Sequence, residues 1–224
     1  MDVVEAIKNR KSIRCFKPDP IPKDILIEIL GTSSRSPSAM NTQPWEFVVV
    51  SGDVIENIKK ENIEKLSAGE VPNPEHMVVG WPSDSIYRTR QVGLAKQLFK
   101  LMDIQREDKD KRAQWLQRGF RYFDAPAAII LVTDRVLSDS GPLLDIGAVM
   151  QTICLAALNY NLGTCIEDQG VMYPEVIRKY TNLSESKRIM MSIAIGYPDE
   201  NFPANRVETT RESLDNIVTW CGQD

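Results

Sequence analysis

The sequence holds one histidine, His76, in 224 residues. A Ser-His-Asp or Cys-His hydrolase would have to be assembled around that single side chain. The four cysteines, Cys15, Cys154, Cys165 and Cys221, form no CxxC pair. Their scatter argues against both a disulfide framework and a Cys/His zinc site, and predicts reduced thiols. Neither GxGxxG nor GxxxxGK[ST] occurs, so a nucleotide phosphate would have to be held without a glycine loop. The strongest apolar run, 143–158, is too short to cross a bilayer and is interrupted by Asp145 and Gln151. The N-terminus shows no charged-then-apolar signal pattern, which predicts a cytoplasmic protein that does not enter membranes. Positive charge is not in excess either. Lys and Arg number 27 against 31 Asp and Glu, for a net charge of −4, which argues against a general nucleic-acid binder.

What is present suits a folded enzyme-sized unit. Hydrophobic residues make up 42% of the chain, enough for a full core. The length predicts one large domain or two small ones, and no linker or internal repeat separates any part. Asp2 and Glu5 predict a capped N-terminal helix with Val3, Val4 and Ile7 on one face. Pro22 fits the first turn of a second helix running to about Ser33. Trp45 to Val50 reads as a strand, followed by a helix over 54–66 with Asp53 as its cap. The stretch 69–84, with three prolines and two glycines, predicts a long irregular segment. Two charge-rich helices should follow over 86–102 and 107–120. Strands are expected at 127–133, 164–166 and 189–196, with helices over 143–158 and 174–180. The 143–158 helix is apolar nearly all round and must be covered on every side, in a core or at a subunit interface. Without regular βαβ alternation, the order predicts an α+β layout with a small mixed sheet.

Four segments carry candidate chemistry. In an extended backbone, Arg10, Ser12 and Arg14 share one face and Lys11 takes the other. Two guanidinium forks flanking a hydroxyl make a phosphate or carboxylate cradle, although the same spacing fits a solvated basic turn. The loop Ser36 to Trp45 is rich in hydroxyls, amides and prolines, which suits a planar polar ligand as well as an ordinary capped loop. Gly163 to Gly170 ends a strand in a polar turn that exposes backbone N–H groups; Cys165 within it reads as a small packing residue. Asn205-Arg206 offers a lone cation after the Gly196-Tyr197-Pro198-Asp199 turn.

In order and spacing, Arg10-Lys11-Ser12-Ile13-Arg14, Pro37 to Trp45, Leu162 to Cys165, and Ile195 to Pro198 with Asn205-Arg206 resemble the FMN-dependent nitroreductase family. The resemblance implies a nitroreductase-like three-layer α+β sandwich with a small mixed, mainly antiparallel sheet. It implies one FMN-binding domain over 1–224, with a helical excursion at 69–123. It further implies an intertwined homodimer, with FMN tightly bound at the subunit interface and 205–224 embracing the partner. Residue by residue, Arg10, Lys11 and Ser12 would hold the FMN phosphate and ribityl chain, with Arg14 at the pyrimidine edge. Arg206 and Asn205 would complete the phosphate site, near Gly196. Pro37, Ser38, Ala39 and Asn41 would reach the flavin from the other subunit, and the turn at Ile166, Glu167 and Asp168 would present a backbone N–H to flavin N5. No side chain is assigned an acid–base role.

The implied activity is NAD(P)H-driven reduction of a small-molecule acceptor, a nitroaromatic or quinone, by a ping-pong mechanism, with NADH or NADPH as reductant. Other branches are a reductive dehalogenase, a flavin-fragmenting enzyme and a non-enzymatic flavin-binding regulator. The dehalogenases hold their substrate with a Glu four residues before a lid Tyr; Ser83 stands at that spacing before Tyr87. Many relatives have Pro and Gln where this chain has Ile166 and Glu167, and an added carboxylate there would disfavour a negatively charged reduced flavin.

Overall fold

The computed structural model describes residues 2–77 and 80–222. Its strands are β1 (Glu46–Ser51), β2 (Ala127–Asp134), β3 (Gly163–Glu167) and β4 (Lys187–Gly196), in the spatial order β1-β2-β4-β3. All three ladders are antiparallel. The mixed character expected of the sheet comes down, among the described residues, to one isolated parallel bridge between Ser12 and Thr164.

β2 is buried along almost its whole length because helices cover both faces of the sheet. Ala128, Ile130 and Val132 point to one side, where α3 (Gly52–Ser67), α5 (Lys109–Phe120) and α7 (Pro174–Thr181) supply Ile55, Ile58, Phe120, Val176 and Ile177. Ala127, Ile129 and Leu131 point to the other, against α2 (Lys23–Ser33) and α6 (Leu143–Leu158). The period-2 alternation of β2 therefore feeds two cores, and the result is a three-layer sandwich. Each fully buried Ile or Leu in these layers contributes roughly 1.5–3 kcal/mol of transfer free energy. α1 (Val3–Asn9) lies against α6, and α4 (Ile86–Leu101) runs beside the segment that follows β4.

Local signals hold where capping chemistry is explicit. The Asp2 carboxylate accepts the Glu5 N–H at 2.8 Å, as the Asp-x-x-Glu spacing predicts. Two expectations shift. Ser51, not Asp53, precedes the first turn of α3, because Gly52 at φ +55° opens the helix one residue after β1. Pro22 stands at the N-cap of α2 rather than inside it. The described part of 69–84 is irregular as expected; Val78 and Val79 lie outside the described residues. Its first half is anchored by Glu75, whose carboxylate accepts from Arg178 at 2.8 Å and from the Ile189 N–H at 2.7 Å.

Several apolar side chains find no cover within the chain. Val3, Val4 and Ile7 of α1 are exposed, as is Leu144 at the start of α6. The tail carries one short helix that the sequence pattern does not predict, α8 (Leu214–Ile217), and its Leu214, Ile217 and the following Trp220 are exposed as well. Among the described residues, no helix is long and apolar enough to cross a membrane.

Candidate functional site

The segment after α1 is pinned to the open edge of β3 and the end of β4. Ile13 N–H donates to the Thr164 carbonyl at 2.9 Å, Phe16 bridges Pro198, and Lys17 N–H donates to the Tyr197 carbonyl at 2.8 Å. Ile13 and Phe16 enter the core, which turns the polar residues between them outward. The approach is close. A Cβ on Gly163 would sit 2.5 Å from Ile13 Cγ1, and one on Gly196 would sit 2.6 Å from Pro126 Cδ. Gly196 is packed closely between Phe16 and Pro126.

Arg10, Lys11, Ser12 and Arg14 line one groove of about 810 Å3 together with Val207, Glu208, Thr209 and Arg211 of the tail. Lys11 borders the groove beside Arg10, contrary to the strict alternation expected, at the point where the chain leaves the C-cap of α1. Lys8 and Arg211 also face the groove, so five cations stand against one carboxylate, Glu208. Among the described residues, the side chains of Arg10 and Lys11 form no hydrogen bond or ion pair, which leaves their donors available to a ligand. Such a groove is built for a polyanion.

Of the two tail arginines, Arg211 and not Arg206 lines this groove. Arg206 lies outside the groove, its Nη2 donating to the Asn201 carbonyl at 3.3 Å. Arg211 lies inside it, steadied by a 2.9 Å bond from Nη1 to Thr209 Oγ1. Both are lone cations in a polar tail, and nothing in residue type or spacing separates them. Asn205 is buried and fully engaged. Its Oδ1 accepts the Arg14 N–H at 2.6 Å, and its Nδ2 donates to the carbonyls of Cys15 and Asp199 at 2.8 and 2.9 Å. Its side chain thus holds the protein's own backbone, with both Nδ2 protons engaged there.

The turn after β3 is locked from within. The Glu167 carboxylate accepts the Gly170 N–H at 2.8 Å and the Ser192 hydroxyl, and Ser192 also bonds the Glu167 carbonyl at 2.8 Å. Burial pushes the Glu167 carboxyl up to about 8, outweighing the hydrogen bonds that favour its charged form. Burial thus favours the neutral form of this carboxyl over the charged form expected from its residue type. Ile166 is partly exposed at the sheet edge, with Asp168 half-buried after it. Cys165 is buried beside Ser12 and Arg14, and burial pushes its thiol up to about 12, in keeping with a packing role.

The loop 36–45 is shaped by backbone rather than by burial. Met40, Asn41 and Gln43 all have positive φ. Ser38 Oγ accepts the Gln43 N–H at 2.9 Å, while the Ala39 N–H points to the Asp145 carboxylate at 3.3 Å. These contacts fix Pro37, Ser38, Ala39 and Asn41 near the N-terminus of α6. The loop does not line the Arg10–Arg211 groove of its own chain.

The sequence profile of the nitroreductase family matches residues 7–197. The chain belongs to that family. Among other nitroreductases, the nitrobenzene nitroreductase of Ectopseudomonas oleovorans is 30% identical, over 96% of this chain and 95% of that one. The chloronitrobenzene nitroreductase of Comamonas testosteroni is 29% identical with the same coverage. The FMN and NADPH-dependent nitroreductase NfnB of Sphigopyxis sp. strain HMH superimposes with a TM-score of 0.93 at 27% identity, covering 100% of both chains. The nitroreductase profile ends at residue 197, just before the segment that supplies Asn205 and Arg211.

Proposed function

We propose that this nitroreductase-family chain is an FMN-dependent oxidoreductase that draws on NADH or NADPH to reduce nitroaromatic, quinone or similar small acceptors by a ping-pong route. One observation carries the reading: Arg10, Lys11, Ser12, Arg14 and Arg211 converge on a single groove of about 810 Å3. That volume lies within the roughly 300–1,000 Å3 usual for cofactor sites. The donor set also fits a phosphate monoester, since each charge-assisted hydrogen bond is worth roughly 1.5–3 kcal/mol and several can act at once. The similarity to nitrobenzene and chloronitrobenzene reductases supports the acceptor class.

Bound there, the flavin supplies the hydride chemistry between nicotinamide and acceptor. The protein supplies position and charge. Arg10, Lys11, Ser12 and Arg211 hold the phosphate end, with Arg211 taking the part the sequence had suggested for Arg206. Arg14 sets a cation at the pyrimidine edge, where it stabilises negative charge on the reduced ring. The 166–168 turn offers a backbone N–H toward N5, and the neutral Glu167 carboxyl stiffens that turn without opposing the charge. The chain acts as one flavin-binding unit within a homodimer. The exposed Val3, Val4, Ile7 and Leu144 and the uncovered tail support a second subunit, whose loop 37–41 completes the site.

Purified protein should be yellow, release FMN on denaturation, and oxidise NADH or NADPH faster when a nitroaromatic is added. Colourless protein that takes up no FMN on reconstitution would overturn this reading.

A further inference from the structure

Arg14 is gripped through its backbone from two distant parts of the chain. Its N–H is taken by Asn205 Oδ1 at 2.6 Å, and its carbonyl accepts from Arg118 Nη2 at 2.9 Å. Asn205 comes from the segment after β4, whereas Arg118 comes from the last turn of α5 in the helical excursion. The next carbonyl, that of Cys15, accepts from Asn205 Nδ2 and from the Asp199 N–H at 3.1 Å. The backbone is therefore held at the Arg14 N–H, the Arg14 carbonyl and the Cys15 carbonyl, while the Arg14 side chain lines the groove with its Nη1 donating to the Ser12 carbonyl at 3.3 Å.

Arg118 is itself braced for this. Its Nη1 meets Asp124 Oδ2 at 3.1 Å, and its guanidinium carbon lies 4.6 Å from the Phe202 ring centroid. Asp124 is held in turn by Arg121 Nε at 2.8 Å. Arg118 Nε is buried with no partner. Desolvating that donor is unfavourable, so the guanidinium is kept in place by the carbonyl, the carboxylate and the ring together. Only a planar fork can serve all three at once; an ammonium cannot.

We propose that Arg118 is a positioning residue, which fixes the Arg14 guanidinium in the groove by holding the Arg14 carbonyl opposite the Asn205 grip. The proposal rests on the function proposed for the groove, in which Arg14 flanks the flavin pyrimidine. It extends the site to a residue that does not itself line the groove, and it assigns the helical excursion a part in tuning the flavin. A loosened Arg14 would stabilise the charged reduced ring less, making the cofactor harder to reduce.

The test uses the FMN-loaded enzyme with Arg118→Lys and Arg118→Ala, each in the parent and in an Arg14→Ala background. Amide hydrogen exchange of peptides covering 12–16 reads the clamp without reference to flavin. Faster exchange there, with β2 and β4 unchanged, is expected of both variants, and Arg118→Lys serves alone if Arg118→Ala does not fold. Unaltered exchange over 12–16 overturns the clamp, whether or not flavin binds. In the parent background, the midpoint potential of bound FMN should fall and kcat/KM should drop about tenfold at unchanged flavin content. In the Arg14→Ala background the same substitutions should move the potential no further. Equal shifts in both backgrounds, or no shift where Arg14→Ala alone produces one, overturn the positioning role. A potential that Arg14→Ala leaves unmoved overturns the placing of Arg14 at the flavin, and the exchange result then decides the clamp by itself.

Discussion

Asn205 and Arg14 stand 191 positions apart, and the side chain of one closes on the backbone of the other at 2.6 Å. This contact ties the N-terminal cationic segment to the segment after the last strand, so both walls of the groove depend on one amide.

Asn205→Ala removes three hydrogen bonds to backbone groups from a side chain that is 2% exposed. A buried polar group left unpaired costs about 1–3 kcal/mol, so the expected loss is about 3 kcal/mol, read as a lower urea midpoint at unchanged slope. Asn205→Asp keeps the acceptor for Arg14 but loses the donor, and should fall between.

Arg10→Ala combined with Arg211→Ala should give folded protein that is purified without flavin, because two of the groove's five cations are gone. Arg206→Ala should stay yellow, since Arg206 bonds Asn201 outside the groove. Flavin-to-protein ratios from the visible spectrum check both. A yellow Arg10→Ala/Arg211→Ala protein beside a colourless Arg206→Ala protein would return the phosphate contact to Arg206.

Glu167 links stability to pH with a definite sign. Its carboxyl titrates near 4.5 when exposed in the unfolded chain and near 8 in the folded one. The folded state thus binds the proton more tightly. The stability from the neutral buried carboxyl is fully present below about pH 4.5 and is lost as the pH rises through about 8. Thermal melts between pH 5 and 9 should show Tm falling with pH more steeply in the parent than in Glu167→Gln, which has no proton to lose. Parallel curves would remove Glu167 as the cause.

Residues 213–224 can be deleted without touching Asn205 or Arg211. Leu214, Ile217 and Trp220 are exposed at 65%, 63% and 69% in the single chain. If they pack on a second subunit, their loss should shift the protein toward monomer in light scattering while far-UV circular dichroism is retained. A truncation that remains fully dimeric would show that the tail is not the clasp.

Most regular elements were readable from local pattern. β2 is an apolar run rich in Ile and Val, β4 sets Ile among Met and Ala, and α6 begins and ends at the residues its apolar stretch marks. The polar sites were less readable, for a physical reason. Whether Arg206 or Arg211 enters the groove depends on how the chain leaves Asn205, through a 3₁₀ turn at Pro203–Arg206 that no residue spacing announces. Likewise, Lys11 joins Arg10 at the groove, contrary to strict alternation, at the point where the chain leaves the C-cap of α1.

The sequence by itself determined the four strands and helices α1 to α7, the family, and the cationic segment at 10–14, since these rest on local pattern and on residue types in order. Only the tertiary structure decided that Asn205 is a brace, that Arg118 from the excursion grips Arg14, and that the Glu167 carboxyl is buried. Those facts come from contacts between chain segments about 25 to 190 positions apart, and from the removal of water around them. Neither is written in the neighbourhood of any single residue.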